Sequence, residues 1–142
     1  MTGVVVVGVD DSPTARKAAH TAARLAQALG ASLHVVTAFG SERGETVGSG
    51  SDRMVVSEAS KAKDVAEKVA AELGQAPLEV IPFAIHGSPP QALVKQAETH
   101  NARLIVVGSK GMRGLGRVLG SIATGVAHNA PCDVYVVKTD DV

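Results

Sequence analysis

The fourteen residues from Gly108 to Ser121, GSKGMRGLGRVLGS, carry five glycines and three cations, Lys110, Arg113 and Arg117. They stand directly after the apolar run Leu104, Ile105, Val106 and Val107 and directly before the helix-like segment Ile122 to His128. A strand that ends in a glycine-rich loop and runs into a helix start gathers backbone N–H groups that no intrahelical acceptor uses. Those groups attract an anion such as a phosphate. Glycines also permit tight left-handed turns in a long connection, so the loop alone fits two readings, phosphate cradle or plain connector.

A second candidate is Asp10, at the end of the β-branched run Val4 to Val9. A carboxylate there suits the two hydroxyls of a ribose, as the glycine loop suits phosphates. The alternative is a carboxylate that solvates a turn or supports the helix after it. Other chemistries find less. The loop has no G-x4-G-K-[ST] sequence and is not a Walker A phosphate loop. Cys132 is the single cysteine, which excludes an intramolecular disulfide, and the five histidines (His20, His34, His86, His100, His128) form neither an i, i+4 pair with a glutamate nor a cluster with Cys132. Zinc is therefore not expected, and no Ser-His-Asp grouping can be argued from the scattered residues.

The balance of charge narrows the partners. Fourteen basic and fourteen acidic residues cancel, which removes the broad positive field expected of a nucleic-acid binder. No apolar run approaches the roughly 20 residues a membrane span needs, and MTGVVVVGVD lacks the basic flank and cleavage site of a signal peptide. A cytoplasmic protein is expected. The 142 residues suit one domain, 1–142. With 45% hydrophobic residues but only 2% aromatics, its core must be built from Val, Ala, Leu and Ile.

The elements that must position the candidates follow from the pattern of apolar residues. Val4 to Val9 lacks alternation, as strands buried on both faces do, and predicts a central strand. Ser12 and Pro13 supply a cap and first position for a helix whose face carries Ala15, Ala18, Ala22, Leu25, Ala26 and Leu29, stopped by Gly30. Leu33 to Ala38 predicts strand 2. Phe39 to Ser51, with four glycines among polar residues, predicts a surface loop. Val55, Ala59, Ala62, Ala66, Val69 and Leu73 predict a second helix ended by Gly74. Leu78 to Ile85 predicts strand 3, and Pro82 assigns it to a sheet edge. Ser88 and Pro89 open a third helix with Leu93, Ala97 and His100 on its apolar face. Strand 4 is Leu104 to Val107, a fourth helix spans about Ser121 to Asn129, and Val134 to Val137 forms strand 5.

Strand and helix alternate throughout, which predicts an α/β three-layer sandwich: a five-stranded parallel sheet with helices on both faces and right-handed crossovers. With strand 1 central and strand 3 at an edge, the order is 3-2-1-4-5. The switch point then lies between strands 1 and 4, the crevice where open α/β sheets bind ligands. That topology brings Asp10 beside Gly108 to Ser121, and the two candidates become one site.

Along essentially its whole length the chain resembles the universal stress protein family. The resemblance is carried by Val7, Gly8, Val9 and Asp10 with Ser12; by Leu33, His34 and Val35; by Gly87 with Pro89; by Gly108 and Gly111 followed by Gly120 and Ser121; and by Ala130, Pro131 and Cys132. The family's ATP-binding branch uses G-x2-G-x9-G-[ST], whose residue types Gly108, Gly111, Gly120 and Ser121 match. Eight residues rather than nine separate Gly111 from Gly120, a difference that Gly114 and Gly116 are placed to absorb.

The resemblance implies a site for ATP or another adenine nucleotide. Asp10 would hold the ribose, the backbone around Val9 and Val35 would meet the adenine, and Gly108, Gly111, Gly120 and Ser121 would meet ribose and phosphates. Lys110, Arg113 and Arg117 are available to add charge, although a solvated position suits each as well. The expectation is a nucleotide-binding stress or signalling protein that acts through a protein partner the sequence does not name. It is also expected to dimerise through the edge strand Val134 to Val137, which has no lysine or proline to protect it. Two alternatives stay open: an ATPase or nucleotide-transferring enzyme, for which no positioned base can be named, and a nucleotide-free dimeric interaction protein. Whether magnesium takes part is equally open.

Overall fold

The computed structural model describes residues 3–40, 49–75, 77–109 and 120–139. In chain order its elements are β1 (Val4–Gly8), α1 (Pro13–Leu29), β2 (Ser32–Phe39), α2 (Ser49–Leu73), β3 (Val80–His86), α3 (Pro89–His100), β4 (Leu104–Gly108), α4 (Ser121–Asn129) and β5 (Asp133–Val137). All strand pairs are parallel and the order is β3-β2-β1-β4-β5, the order expected from the sequence. Pro82 lies on the edge strand β3, in register with Val35 of β2; Glu79 O accepts from Leu33 N of β2, so strand alternation turns the nitrogen of Pro82 to the open side, where the ladder needs no donor.

Because successive strand residues face opposite sides, the unbroken valine run of β1 serves two cores at once. Val5, Val7 and Val9 pack with Leu33, Val35 and Val106 against Ala18, Ala22 and Ala26 of α1 and Ala66 and Val69 of α2. Val6 packs with Val36, Ile105 and Val107 on the other face, against Ala92, Leu93 and Ala97 of α3 and Ala123 and Val126 of α4. Small helix residues let the helix axes come close to the sheet. At Gly8 the approach is close enough that a Cβ would stand 3.0 Å from a Leu93 methyl carbon. Each fully buried valine contributes roughly 1.5–3 kcal/mol relative to an exposed one.

The helix ends follow local chemistry. The Ser12 hydroxyl accepts from Ala15 N and Pro13 opens α1, while Gly30 closes it in the left-handed region at φ 67°. Ser88 and Gln91 form a reciprocal capping box at the start of α3. Two details of the expected helix faces change. Ala19 is buried in α1, whereas Leu29, in its last turn, is 36% exposed, the interior of that turn being taken by Ala26. In α3 it is Ala92 and Gln96 that join Leu93 and Ala97 in the interior, while His100 is exposed at the helix end. The loop expected from Phe39 to Ser51 lies largely outside the described residues. At its ends Phe39 completes β2, and Ser49 to Ser51 belong to α2, since glycine and serine are tolerated in a first helical turn.

Gln96 is buried because it has a partner. Its Nε2 donates to His34 Nδ1 on β2 at 3.0 Å, so the neutral ring carries its proton on Nε2. The His34 ring also meets Phe83 at 4.7 Å and His100 edge-on at 4.8 Å between centroids. Burial first, and the neighbouring His100 second, push its pKa down to about 4; Glu79 opposes them. Among the described residues no helix is long and apolar enough to cross a membrane.

Candidate functional site

At the carboxyl end of β1 the chain turns through Asp10, Asp11 and Ser12 into α1. Asp10 Oδ1 accepts from both the backbone N–H of Ser12, at 3.0 Å, and its hydroxyl, at 2.5 Å. The same hydroxyl caps the helix at Ala15 N, so the cap that starts α1 also fixes the Asp10 carboxylate. Asp10 Oδ2 has no partner among the described residues. The neighbouring Asp11 is directed elsewhere, to Arg16 at 3.1 Å, and Arg16 in turn bridges to Glu72 on α2. Of the two adjacent carboxylates, Asp11 is engaged by Arg16 and Asp10 keeps one oxygen without a partner among the described residues.

At the carboxyl end of β4, Ser109 ties two chain segments together. Its N–H donates to Val137 O at 2.8 Å, and its hydroxyl accepts from Thr139 N at 2.9 Å. Helix α4 then starts at Ser121 with Gly120 as its N-cap and no side-chain cap. The first N–H groups of such a helix lack intrahelical acceptors and carry the positive end of the helix dipole, so they face whatever lies beyond as donors to an anion.

These two ends border one cavity of about 470 Å³, within the range of small-molecule sites. It lies at the carboxyl ends of β2, β1 and β4, between the amino ends of α1, α3 and α4. Of the residues expected from sequence, Val9, Asp10, Gly108, Gly120 and Ser121 line it. The N–H of Val9 donates to Val36 O at 2.8 Å, so Val9 can meet a ligand only through its other atoms. Val35 is not brought to the cavity; its side chain is fully buried in the core under α1 and α2. Strand β2 continues past it, and Val36, Thr37 and Ala38 form that wall. Gly111, Lys110, Arg113, Arg117, Gly114 and Gly116 lie outside the described residues.

Several lining residues were not singled out from sequence: Thr14, Thr37, Ile122 and Thr139 among them. A usable signal existed for Thr37, a polar residue at the carboxyl end of an apolar strand. Thr139 lies beyond the last strand, where sequence pattern says nothing. Among the described lining residues Asp10 is the one titratable group, and neither Lys nor Arg is present. No three His, Cys, Asp or Glu come together as metal ligands among the described residues. The cavity is thus a mainly apolar hollow with one carboxylate, an acceptor for hydroxyl groups, and uncapped backbone donors at the amino end of α4, the one place in the described lining that favours an anion.

Comparison with known proteins agrees with this architecture. The chain is 35% identical over 139 residues to a Thermus aquaticus protein, the universal stress protein in QAH/OAS sulfhydrylase 3′ region, with 94% of this chain and 97% of that one covered. It is 43% identical over 58 residues to a universal stress protein of Synechocystis sp., a match that spans 40% of this chain and 54% of that protein. Among solved structures, a universal stress protein in complex with cAMP superimposes with a TM-score of 0.75 at 29% identity, covering 96% of this chain and 97% of the other. The sequence model of the universal stress protein family matches residues 1–138. With that match on the strand order and crevice described above, the chain belongs to the universal stress protein family.

Proposed function

We propose that residues 1–142 act as one nucleotide-binding domain that holds an adenine nucleotide, ATP foremost, in the crevice between β1 and β4. The observation that carries this reading is the convergence of Asp10 with Gly108, Gly120 and Ser121, from distant parts of the chain, on one cavity. Asp10 Oδ2 accepts from the ribose hydroxyls, and the uncapped amino end of α4 receives phosphate oxygens through backbone N–H groups. The similarity to a protein solved with cAMP supports an adenine nucleotide in particular. The described lining offers magnesium one carboxylate and no cluster, so a magnesium ion that arrives with ATP is held chiefly by the phosphates.

The bound nucleotide acts by altering the surface that a protein partner reads in a stress or signalling response. A cytoplasmic setting accords with the free thiol of Cys132. The assembly is a homodimer through β5, an edge strand on which Tyr135 and Val136 are 44% and 36% exposed. Native mass spectrometry of the gently purified protein, followed by calorimetric titration with ATP and cAMP, tests the reading. A co-purifying adenine nucleotide, or saturable binding below millimolar concentration, supports it. No binding at millimolar nucleotide would remove the site and leave a nucleotide-free interaction protein.

A further inference from the structure

Buried polar atoms nearly always have hydrogen-bond partners. Among the described residues two buried side-chain oxygens lack one, Thr37 Oγ1 and Thr139 Oγ1, and both belong to residues that line the nucleotide cavity. Thr37 is 7% exposed and Thr139 is fully buried. An unpaired buried hydroxyl destabilises the empty protein. That both such groups face the same hollow indicates that an occupant supplies their partners.

The two hydroxyls sit at opposite sides of the hollow. Thr37 ends β2 and Thr139 follows β5, and β1 and β4 lie between them, which separates the flanking strands by about 14 Å at ~4.8 Å per strand. Asp10 at the end of β1 lies between, and the amino end of α4 lies on the side of β4 and β5. A nucleotide with its ribose on Asp10 and its phosphates at α4 must therefore extend its base toward β2. There Ala15, Ala18, Val36 and Ala38 offer small apolar walls and Thr37 the polar atom. On the far side Gly108 has no need of a positive φ. A Cβ at Gly108 would stand 3.1 Å from Thr139 Oγ1 and 3.2 Å from its methyl carbon, so a side chain at Gly108 would crowd that hydroxyl.

On the nucleotide reading given above, we propose that Thr37 and Thr139 are ligand-contacting residues that bond the two ends of the nucleotide, Thr37 the base and Thr139 the phosphate-bearing end. A threonine hydroxyl both donates and accepts. Thr37 meets an exocyclic amino group or a ring nitrogen of the base, and Thr139 donates to a phosphate oxygen. Val matches threonine in shape without the hydroxyl, and Ser keeps the hydroxyl without the methyl group.

The test is calorimetric titration of nucleotide-free wild type, Thr37→Val, Thr139→Val and the two Ser variants with ATP and with adenosine, beside their unfolding temperatures. Each Val variant is expected to bind ATP about tenfold more weakly, the worth of one ordinary hydrogen bond. Thr37→Val should lose the same factor for adenosine, and Thr139→Val should bind adenosine as the wild type does. The Ser variants should stay near wild type. Neither Val variant should unfold at a lower temperature than the wild type, since each removes an unpaired group. Val variants that bind ATP like the wild type, or that lose stability without losing affinity, overturn the proposal, and equal loss of adenosine and ATP in Thr139→Val overturns the assignment of that end. A wild type that binds neither compound refutes the nucleotide reading itself, which the variants cannot do.

Discussion

Acidification should destabilise this fold through a single buried ring. His34 is 4% exposed and its neutral form is fixed by the Gln96 amide that donates to Nδ1 at 3.0 Å. Protonation would turn Nδ1 into a donor facing the Gln96 amide donor. The folded-state pKa is accordingly pushed from 6.5 down to about 4, by burial first and by His100 second. Between those two values the unfolded chain binds a proton at this position and the folded chain does not. Stability is therefore fully present above pH 6.5, falls as the pH falls through the window, and has lost the whole contribution below about 4. At 1.36 kcal/mol per pKa step the loss is about 3 kcal/mol, a large share of an ordinary domain's stability.

Urea unfolding at closely spaced pH values from 7 to 4, on wild type and His34→Asn, isolates this contribution. Asparagine places an acceptor where Nδ1 stood but does not titrate. The variant starts less stable, since it leaves a cavity, yet the wild type should lose about 3 kcal/mol more than the variant across the range, a difference in midpoint of about 1–3 M urea. Parallel curves for the two proteins, or a His34 ring that titrates near 6.5 in the folded state by NMR, would refute the reasoning.

Other outcomes follow from the site and the sheet edge. Asp10→Ala removes the ribose acceptor and should weaken ATP binding by about ten- to a hundredfold, as loss of a charge-assisted hydrogen bond does; unchanged calorimetric affinity would move the nucleotide elsewhere. Gly120→Val sets a branched side chain at the amino end of α4 and should reduce ATP affinity at least as much, while circular dichroism shows the fold retained. Turnover of ATP should stay below the ordinary enzyme range of about 1–10³ s⁻¹, because Asp10 is the one titratable group among the described lining residues; steady-state phosphate release within that range would favour the enzyme reading. Val137 O accepts from Ser109 N, so strand alternation turns the N–H of Val136 away from β4 and toward the open edge. Val136→Pro should therefore dissociate the dimer without breaking the sheet, and sedimentation that is unchanged would exclude β5 as the interface.

The strand order was legible because each inference used a strong local signal. Val4 to Val9 lacks alternation and so announces a strand covered on both sides, while Pro82 can be accommodated only at a rim. Leu29 was misplaced for a complementary reason. Helical periodicity says which side of a helix faces inward but not which positions of its last turn the neighbouring elements cover: in α1 Ala26 is fully buried there and Leu29 is exposed. His100 differs in the same way, at the end of α3.

The site was legible in its chemistry but not in its walls. Asp10, Gly108 and Gly120 could be singled out because they stand where strands end and a helix begins, and all three line the cavity, while Gly111 lies outside the described residues. Val35 and Thr37 differ only in how far β2 continues before it opens on the cavity, and boundaries of that kind are set by the tertiary packing. Thr37 and Thr139 are a different case again. Whether a hydroxyl is satisfied depends on which groups surround it after folding, so the missing partner of each was not legible in the chain, although the place of Thr37 near the end of an apolar strand was. In the folded protein Gly108 also stands against Thr139, where a Cβ would come 3.1 Å from the threonine hydroxyl and crowd it. A side chain at Gly108 would then lower nucleotide affinity even where the backbone itself did not move.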